Sequence, residues 1–593
     1  MILKKYFKHF LFFYNYLGQK IFVNIGLNIS VGLLDGFGIA MFFPLLQMVD
    51  GSNHVDSEEL GNMGFITRGI EELGLTLNLS TVLLFMLLFF SLKGIARLVE
   101  SLYRTGVQYY FLKKLRLEGI NGLRDYAYKY FVNSDSGKIQ NSLSVEINKV
   151  AGASNSYFMT LQSAVMSILY GVLAFLANAE FALMVMVGGL LSNLIFQVIN
   201  KKTVEASRKI TYEGHEYQGM LIQKVGFFKY LKATGLVDTY SEKMKQLVER
   251  IETNGKKIGM YGSILYASKE PIIMAVAVGV IFIQTYWMGQ SLGLIILSLM
   301  FFYRALTYLM SLQTFYNNFL TNAGALENMR DFLDELKMKK ERNEGRKKVT
   351  LKREISFDRV SFGYDDKNIL HKINLVISKN ESVAFVGESG SGKTTLVNLI
   401  TGLIRNQSGR LTIDGNGMDE IDLRVYQARI GYITQEPVIF SDSVFNNVTF
   451  WSEKSESNIK RFWEVLEKAH IADFVRELPK EEDTTLGTNG ILVSGGQKQR
   501  ISIARELYKD IDLLIMDEAT SALDSESEKI IQENINLLKG KMTLIIVAHR
   551  LATIKNVDTV FLLSKGEIVA SDDFKNLLEK SADFKRMVEL QTF

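Results

Sequence analysis

Six long apolar stretches dominate the first 325 residues of this 593-residue chain. A helix needs about 20 mostly apolar residues to cross the hydrocarbon layer of a membrane. The six stretches lie at about 20–48, 78–100, 157–178, 181–200, 265–287 and 290–320. The sequence therefore predicts a helical membrane domain with six spans.

The rest of the chain has a different pattern. Beyond residue 350, short apolar runs alternate with helical segments, which predicts a doubly wound α/β domain. A basic stretch, KMKKERNEGRKK, separates the two patterns and is typical of a solvated linker. We therefore divide the chain into a membrane domain (1–330), a basic linker (331–352) and an α/β domain (353–593).

The flanking residues predict how the membrane domain is oriented. The N-terminal segment combines lysines with Phe and Tyr and lacks a cleavage site, which favours a helix lying in the membrane interface. The loop at 50–80 is acidic, whereas 113–149 and 201–257 are rich in Lys and Arg and are therefore expected inside. We interpret these basic segments as helices that extend into the cytoplasm, with tips near 137–149 and 217–228.

Composition excludes several other kinds of site. The chain has no cysteine, which rules out disulfides, zinc–cysteine sites and iron–sulfur clusters. Its net charge of +4 is too small to indicate a nucleic-acid partner.

The segment VAFVGESGSGKTTLVNLI places a glycine-rich loop between an apolar strand and a helix. Glycines allow the backbone to turn tightly around phosphates, and the amides of the loop and of the following helix N-terminus bind anions. In such a loop Lys393 reaches the terminal phosphates and Thr394 binds magnesium. The strand before the loop and the helix after it make this a strong prediction of a nucleotide site.

Downstream, IDLLIMDEATSALD supplies a buried strand that ends in two carboxylates. Asp517 can hold Mg²⁺ through its water shell, and Glu518 can orient and deprotonate an attacking water. Between the two motifs lies LVSGGQKQR (492–500).

Taken together and in this order, the motifs resemble the nucleotide-binding domain of ABC transporters. The resemblance implies ATP and Mg²⁺ as ligands, Glu518 and His549 as catalytic residues, and Thr394, Gln435 and Asp517 as metal-binding residues. The nucleotide-binding residues that it implies are Tyr364, Gly387, Ser389, Gly390, Ser391, Gly392, Lys393, Thr394, Thr395, Gln435, Ser494, Gly495, Gly496, Gln497 and Asp524. In those domains the signature residues Ser494 and Gly496 contact the nucleotide held by the opposite copy.

The chain carries one phosphate loop and one signature, so one chain cannot complete a site of that kind. A second copy of this chain is the simpler partner because every motif is intact. A different partner chain with degenerate motifs is the alternative. With its six predicted spans, the chain resembles a half-size ABC exporter over nearly its whole length.

Short segments of the membrane half, including GLLDGFGIAMFFPLL and FFYRALTYL, are similar to lipid-linked oligosaccharide flippases of the bacterial inner membrane. That likeness implies a polyprenyl-pyrophosphate oligosaccharide or a similar anionic lipid as substrate. A peptide or drug exporter, or an ATP-gated protein that does not pump, is the alternative. Six spans argue against a soluble ABC ATPase.

Positively charged side chains inside the predicted spans bear on the choice between an anionic lipid and a peptide or drug as substrate. An arginine at the centre of a membrane helix costs about 2.5–3.5 kcal/mol on insertion scales. Lys93, Arg97 and Arg304 are candidates to bind an anionic head group. The alternative is internal pairing, of Arg97 with Glu100 or of Arg304 with Asp35 or Glu270.

Overall fold

The computed structural model describes residues 2–49, 72, 74–76, 78–177, 179–286, 292–341, 343–364, 367–487, 490, 492–517, 538–548 and 554–591. The chain divides into two compact units. The first contains Met1–Tyr126 and Asn133–Lys340, and the second contains Ala127–Val132 and Glu341–Phe593.

The first unit is helical. Its helices are α1 (Ile2–Leu17), α2 (Lys20–Ala40), α3 (Phe42–Val49), α4 (Leu79–Arg124), α6 (Ser136–Asn141), α7 (Ile147–Ala177), α8 (Ala179–Gly226), α9 (Phe228–Ala233), α10 (Val237–Tyr286), α11 (Leu292–Thr321) and α12 (Ala323–Met338). The short helix α5 (Tyr128–Val132) follows α4 in the chain but groups with the second unit. A π-helical turn, Ser142–Glu146, joins α6 to α7.

Within the described residues, the six predicted spans fall on helices of this unit. Four helical segments in the described part of the chain are long and apolar enough to cross a membrane: Lys20–Ala40, Leu79–Arg124, Ser136–Leu176 and Val237–Ile283. The other two predicted spans, 181–200 and 290–320, fall on α8 and α11. The first predicted span, 20–48, is divided at Met41, where α2 ends shortly before Pro44.

The long helices extend well past a membrane, as the sequence predicted. Helix α4 has 46 residues and is therefore about 69 Å long, more than twice the thickness of the hydrocarbon layer. Helices α8 and α10 are longer still, with 48 and 50 residues. Aromatic side chains pack the N-terminal helix onto this bundle, with Phe13 stacked on Tyr157 at 4.4 Å.

The first cytoplasmic tip lies earlier in the chain than 137–149. Helix α4 ends at Arg124 and α5 follows, whereas the predicted tip falls on α6, the π-helical turn and the start of α7. The Asp135 side chain accepts hydrogen bonds from the amides of Gly137 and Lys138, which starts α6 at that point. The second tip, at Phe227 and α9, overlaps the end of the predicted 217–228.

The boundary between the domains also differs in detail from the sequence division. Helix α12 continues eight residues beyond 330, to Met338, because Phe332, Leu333 and Leu336 are buried against the bundle. The stretch that was predicted to be entirely linker is therefore helical in its first part.

The second unit is an α/β domain with two sheets. Its strands are β1 (Glu354–Tyr364), β2 (Lys367–Ser378), β3 (Ser382–Gly387), β4 (Ser408–Ile413), β5 (Asn416–Gly417), β6 (Ile430–Ile433), β7 (Leu513–Asp517), β8 (Thr543–Val547), β9 (Thr559–Ser564) and β10 (Glu567–Asp572). Its helices are α13 (Lys393–Ile400), α14 (Leu423–Gln427), α15 (Val444–Thr449), α16 (Glu456–Lys468), α17 (Ala472–Arg476), α18 (Gly495–Tyr508), α19 (Phe574–Lys580) and α20 (Ala582–Gln591).

The larger sheet has the strand order β10-β9-β3-β8-β7-β6. Strands β9, β3, β8, β7 and β6 run parallel to one another, and β10 is antiparallel at one edge. Strands β3, β7 and β8 consist almost wholly of buried apolar residues, as expected for a parallel sheet covered on both faces. The smaller sheet is antiparallel, in the order β2-β1-β4-β5.

Candidate functional site

The glycine-rich loop connects the end of β3 to the first turn of α13. Gly390 and Gly392 have φ angles of +80° and +105°, which side chains other than glycine rarely adopt. A Cβ atom on Gly392 would also lie 2.6 Å from Cδ2 of Leu370. The tight loop therefore requires glycine at this position, as the phosphate-loop prediction supposed.

Two buried polar groups face this loop. The Lys393 ammonium donates hydrogen bonds to the carbonyl oxygens of Gly387 and Glu388, at 2.8 and 2.9 Å. The Ser391 hydroxyl is buried and has no hydrogen-bond partner in the described part of the chain. Because a buried hydroxyl without a partner is unfavourable, Ser391 fits a loop whose remaining donors are satisfied by phosphate oxygens.

The strand register brings the other motif residues to the same edge of the sheet. Phe385 in β3 pairs with Val547 in β8, and Val547 pairs with Asp517 in β7. Because β8 lies between β7 and β3, the backbone of Asp517 is about 10 Å from β3, which is twice the spacing between neighbouring strands. Strand β6 pairs Ile433 with Met516, and Gln435 follows two residues later in an exposed position.

A tyrosine that the motif reading missed holds Asp517 in place. The Tyr432 hydroxyl donates to Oδ2 of Asp517 at 3.0 Å. Burial and the neighbouring carboxylate raise the pKa of Tyr432, so this phenol remains a hydrogen-bond donor at neutral pH. Its place in β6, one strand away from Asp517, was not apparent from the sequence alone.

The donors at this edge suit Mg²⁺. Asp517, Thr394 and Gln435 offer carboxylate, hydroxyl and amide oxygens, which are hard ligands, and Mg²⁺ typically takes few protein ligands beside water and phosphate. No cluster of three His, Cys, Asp or Glu residues that could hold a metal alone occurs among the described residues.

Tyr364 ends β1, beside the phosphate-loop helix. Its ring packs edge-on against Phe362 at 5.0 Å. Burial raises the pKa of Tyr364. Tyr128 of α5 packs on the same core, beside Tyr364 and Tyr432. The motif analysis did not identify this short segment.

The signature motif forms the N-terminus of α18. The Ser494 hydroxyl accepts a hydrogen bond from the amide of Gln497, and the Gln497 side chain accepts one from the amide of Ser494. This capping box fixes the helix end, while Ser494 and Gly495 remain exposed. No hydrogen bond between described residues joins this helix end to the phosphate loop.

Three predicted residues, Glu518, Asp524 and His549, lie outside the described residues. Their predicted roles rest on sequence. Strands β7 and β8 end at Asp517 and Val547, directly before Glu518 and two residues before His549.

In the membrane helices, Lys93 has a carboxylate partner. Its ammonium lies 2.6 Å from Oδ1 of Asp35 on α2. The Tyr170 hydroxyl of α7 donates a hydrogen bond to the other carboxylate oxygen. The sequence suggested Asp35 as a possible partner of Arg304 and Lys93 as a candidate to bind an anionic head group, whereas the structure pairs the two with each other.

The residues spaced along α4 also pair differently from the predicted Arg97–Glu100 contact. Glu100 is buried, pairs with Arg104 at 3.4 Å and accepts a hydrogen bond from Asn24 at 3.3 Å. Arg97 is exposed, at the edge of the helical face that carries Lys93, Glu100 and Arg104. It has no ion pair with any residue that the structure describes.

Arg304 is half-buried on α11. In the part of the chain that the structure describes, it forms no hydrogen bond or ion pair, with Asp35, Glu270 or any other residue. Glu270 is exposed on α10. Neither internal partner proposed for Arg304 is therefore in contact with it.

Comparison with known proteins places these features in a family. Residues 370–521 match the family model described as ABC transporter. The chain is 29% identical over 512 residues to an ATP-dependent lipid A-core flippase of Ralstonia nicotianae, covering 84% of this chain and 85% of that protein. It is 42% identical over 252 residues to a protein of the same name from Syntrophus aciditrophicus, covering 42% of this chain and 41% of that protein.

Among solved structures, a bacterial Atm1-family ABC exporter with ATP bound has the same fold. The TM-score is 0.76 at 21% sequence identity, over 96% of this chain and 98% of that chain. Both the helical unit and the ATPase unit are thus matched. The chain thus has the fold of a half-size ABC exporter, and its C-terminal part is an ABC ATPase domain that binds ATP with Mg²⁺ and couples its hydrolysis to transport.

Proposed function

We propose that the protein flips an anionic lipid-linked substrate, a polyprenyl-pyrophosphate oligosaccharide or a lipid with a similar head group, across the bacterial inner membrane. The observation that carries the proposal is Arg304, a half-buried cation without an ion-pair partner among the described residues. Asp35, one of the two internal partners considered for Arg304, is already paired with Lys93. A cation in a membrane helix normally faces a partner or a substrate pathway, and an anionic head group would serve as that partner.

The depth of the cations is consistent with one binding region. Arg304 lies twelve residues after the start of α11, and Lys93 lies fourteen residues after the start of α4. These offsets correspond to about 18 and 21 Å along the helix axes. A guanidinium binds phosphate oxygens through two parallel hydrogen bonds, which suits a pyrophosphate group. The relatives named lipid A-core flippase support a lipid rather than a peptide as cargo.

The ATPase residues divide into binding and catalytic groups in this proposal. Lys393 and the loop amides hold the β- and γ-phosphates, and Tyr364 stacks on the adenine. Asp517, oriented by Tyr432, holds Mg²⁺ together with Thr394 and Gln435. Bound Mg²⁺ neutralises charge that develops on the phosphates. Glu518 accepts the proton of the attacking water, and His549 contacts the γ-phosphate.

A second copy completes each site. Half-size ABC exporters function as dimers, and the exposed N-terminus of α18 offers Ser494 and Gly496 to a nucleotide on another chain. The positive end of a helix favours negatively charged ligands. We propose a homodimer with two competent sites, with the ATPase domains in the cytoplasm.

Reconstitution into proteoliposomes tests the lipid proposal. Wild-type protein should hydrolyse ATP faster when a polyprenyl pyrophosphate is added, and it should flip a labelled form of that lipid. Arg304→Ala should reduce the ratio of stimulated to basal hydrolysis by about tenfold, since a charged hydrogen bond contributes about 1.5–3 kcal/mol.

Arg116→Ala is the matched control, because Arg116 is an exposed arginine on α4 well beyond the predicted span. It should leave the stimulation ratio at the wild-type value. Stimulation by peptides or amphipathic drugs, with no response to the pyrophosphate lipid, would contradict the proposal and favour a peptide or drug exporter.

A further inference from the structure

A cavity of about 380 Å³ opens between three helices of the helical unit, on the side that is expected to face the cytoplasm. Its lining includes Leu11, Phe12 and Tyr16 of α1, Lys114 and Glu118 of α4, and Asp334 of α12. This volume lies within the range of about 300–1,000 Å³ that is typical of small-molecule sites. We call it the α1 cavity.

The α1 cavity lies close to the inner surface of the membrane. Tyr16 comes four residues before Lys20, where α2 and the first predicted span begin, and four helical residues rise by about 6 Å. Lys114 comes 35 residues after Leu79, the start of α4, which corresponds to about 52 Å. A bilayer with its head groups is about 40–45 Å thick. Both offsets therefore place the cavity next to the inner layer of lipid head groups.

Most charged side chains around the α1 cavity neutralise one another. Lys337 lies 2.6 Å from Glu118, and Arg330 lies 2.7 Å from the carboxylate of the next residue. Lys114 and Asp334 are the exceptions, because neither forms an ion pair with any residue that the structure describes. The cavity therefore presents one cation and one carboxylate that lack a charged partner within the described part of the chain.

Tyr16 lies near both of these charges. Its carbonyl oxygen accepts a hydrogen bond from the Lys114 ammonium at 3.3 Å, and its ring centroid is 5.4 Å from the same nitrogen. Burial and the negative charges of Glu118 and Asp334 raise the pKa of the Tyr16 hydroxyl. The Lys114 ammonium keeps two N–H donors beyond the one that Tyr16 accepts. A single head group beside Tyr16 can therefore meet a cation and a carboxylate.

We propose that the α1 cavity binds a zwitterionic lipid head group of the phosphoethanolamine class. The phosphate accepts hydrogen bonds from Lys114, and the primary ammonium, two carbons further on, donates to Asp334. Leu11, which is 44% exposed, and the half-buried Phe12 supply apolar surface for the adjoining part of the lipid. An anionic head group would leave Asp334 without a cation, and a trimethylammonium group has no N–H to donate to it. Binding in this cavity does not depend on which lipid the transporter flips.

Lipid titration of the purified full-length protein in detergent, followed by native mass spectrometry, tests the site. The probes are phosphatidylethanolamine, phosphatidylcholine and phosphatidylglycerol with identical acyl chains, and the measurement is the dissociation constant of the first lipid bound. Wild-type protein should bind phosphatidylethanolamine about tenfold more tightly than the other two, the effect expected of one charge-assisted hydrogen bond. Equal binding of the three lipids, or tightest binding of phosphatidylglycerol, would overturn the proposal.

Two variants assign the two ends of the head group. Lys114→Ala removes the donor to the phosphate, which all three lipids share, so it should weaken each of them by about tenfold and keep their order. Asp334→Asn removes the partner of the ammonium, so it should weaken phosphatidylethanolamine to the level of phosphatidylcholine and should not weaken phosphatidylglycerol. A preference for phosphatidylethanolamine that survives Asp334→Asn would overturn the proposal.

Lys113→Ala and Glu252→Gln control for the loss of one charge. Lys113 is exposed beside Lys114 on α4 but does not line the cavity, and Glu252 is exposed on α10. Neither change should alter the three affinities. All the substituted side chains are exposed, so each variant should keep the fold, and melting temperatures check this. A loss of lipid binding in Lys113→Ala as large as in Lys114→Ala would show that net charge alone attracts the lipid and would overturn the proposal.

Arg304→Ala separates this site from the proposed transport site. It should impair hydrolysis stimulated by the pyrophosphate lipid but leave phosphatidylethanolamine binding at the wild-type value, because Arg304 lies on α11 and does not line the α1 cavity. An equal loss of phosphatidylethanolamine binding in Arg304→Ala would overturn the assignment of this lipid to the α1 cavity.

Discussion

Charged residues in the ATPase domain and charged residues in the membrane helices obtain their positions in different ways. Asp517 ends β7, and Lys393 begins α13 just after the loop that follows β3, so the parallel sheet brings both to one edge. In the membrane helices, Lys93 pairs with Asp35 on a neighbouring helix, and Arg104 pairs with Glu100 on its own helix. The sheet therefore positions the first two residues, whereas a carboxylate on a neighbouring helix or one turn away positions each of the other two.

Two arginines of α4 differ in the same way, since one has a carboxylate partner and the other has none among the described residues. Arg104 pairs with the buried Glu100, one turn away. Arg97 is exposed and lacks an ion-pair partner within the described residues. Sequence spacing placed both arginines on one helical face, but only Arg104, four residues after Glu100, pairs with it.

The largest expected effect is in the ATPase domain. Glu518→Gln should reduce ATP turnover by about 10²–10⁴-fold, because a general base contributes about that much to a reaction that it assists. Binding of ATP with Mg²⁺ should persist, and the dimer should accumulate in a closed state. Single-turnover hydrolysis and nucleotide binding measure the two properties. Glu567→Gln, at an exposed position in β10, is the control, and wild-type-like turnover in Glu518→Gln would refute the assignment.

The next effect compares two arginines of α4. Arg104→Ala should lower the free energy of unfolding by about 3–5 kcal/mol, because it leaves the buried Glu100 without its cation. Arg97→Ala should change that free energy by less than about 0.5 kcal/mol and should reduce lipid stimulation instead. Thermal unfolding and stimulated hydrolysis of both variants make the comparison. Equal losses of stability would show that Arg97 is also structural.

A third prediction concerns two serines with the same local role. Ser494 and Ser455 each cap a helix through the side-chain oxygen, so replacement by alanine should cost about 1 kcal/mol of stability in both cases. Only Ser494→Ala should also reduce ATP turnover, since Ser494 is proposed to contact the partner's nucleotide. Melting temperatures and steady-state hydrolysis test this, and equal turnover in the two variants would argue against a signature role.

Removing the Tyr432 hydroxyl should weaken Mg²⁺ binding and leave the rest of the nucleotide site intact. Tyr432→Phe loses a hydrogen bond to a carboxylate, which is worth about 1.5–3 kcal/mol, so the Mg²⁺ concentration for half-maximal hydrolysis should rise roughly tenfold. Tyr426→Phe is the matched control. It removes a buried hydrogen bond to the Ile400 carbonyl, away from Asp517. A Mg²⁺ dependence that shifts equally in both variants would contradict the orienting role.

The smallest effect involves Glu335 at the cytoplasmic end of the helical unit. Hydrogen bonds from Lys138 and Lys339 lower the pKa of Glu335 from 4.5 to about 2. The ion pairs therefore stabilise the fold above about pH 4.5, and this stabilisation is lost as the pH falls towards 2. Glu335→Gln should lower the melting temperature by a few degrees at pH 7, for a partly exposed pair worth about 0.5–1 kcal/mol. The difference in melting temperature between Glu335→Gln and wild type should disappear near pH 2. A difference that persists at that pH would contradict its origin in the ion pairs.

Much of the ATPase domain was predictable from sequence. The phosphate loop is a continuous segment, and its glycines at 390 and 392 have the positive φ angles that its function requires. The membrane helices were also predictable, because hydropathy depends on composition over about 20 residues. The fold class that these patterns predicted is confirmed by the similarity to the Atm1-family exporter.

The tertiary structure decided which polar groups meet. Tyr432 reaches Asp517 from a neighbouring strand 85 residues away, and Lys93 reaches Asp35 from a helix 58 residues away. The sequence alone determined that the chain carries membrane helices, a phosphate loop and a signature, since each is encoded in adjacent residues. Ion pairs between helices depend on how each helix is rotated and shifted against its neighbour. That choice is made by packing over the whole bundle, so only the folded structure shows that Lys93 pairs with a carboxylate and that Arg304 pairs with none of the residues it describes.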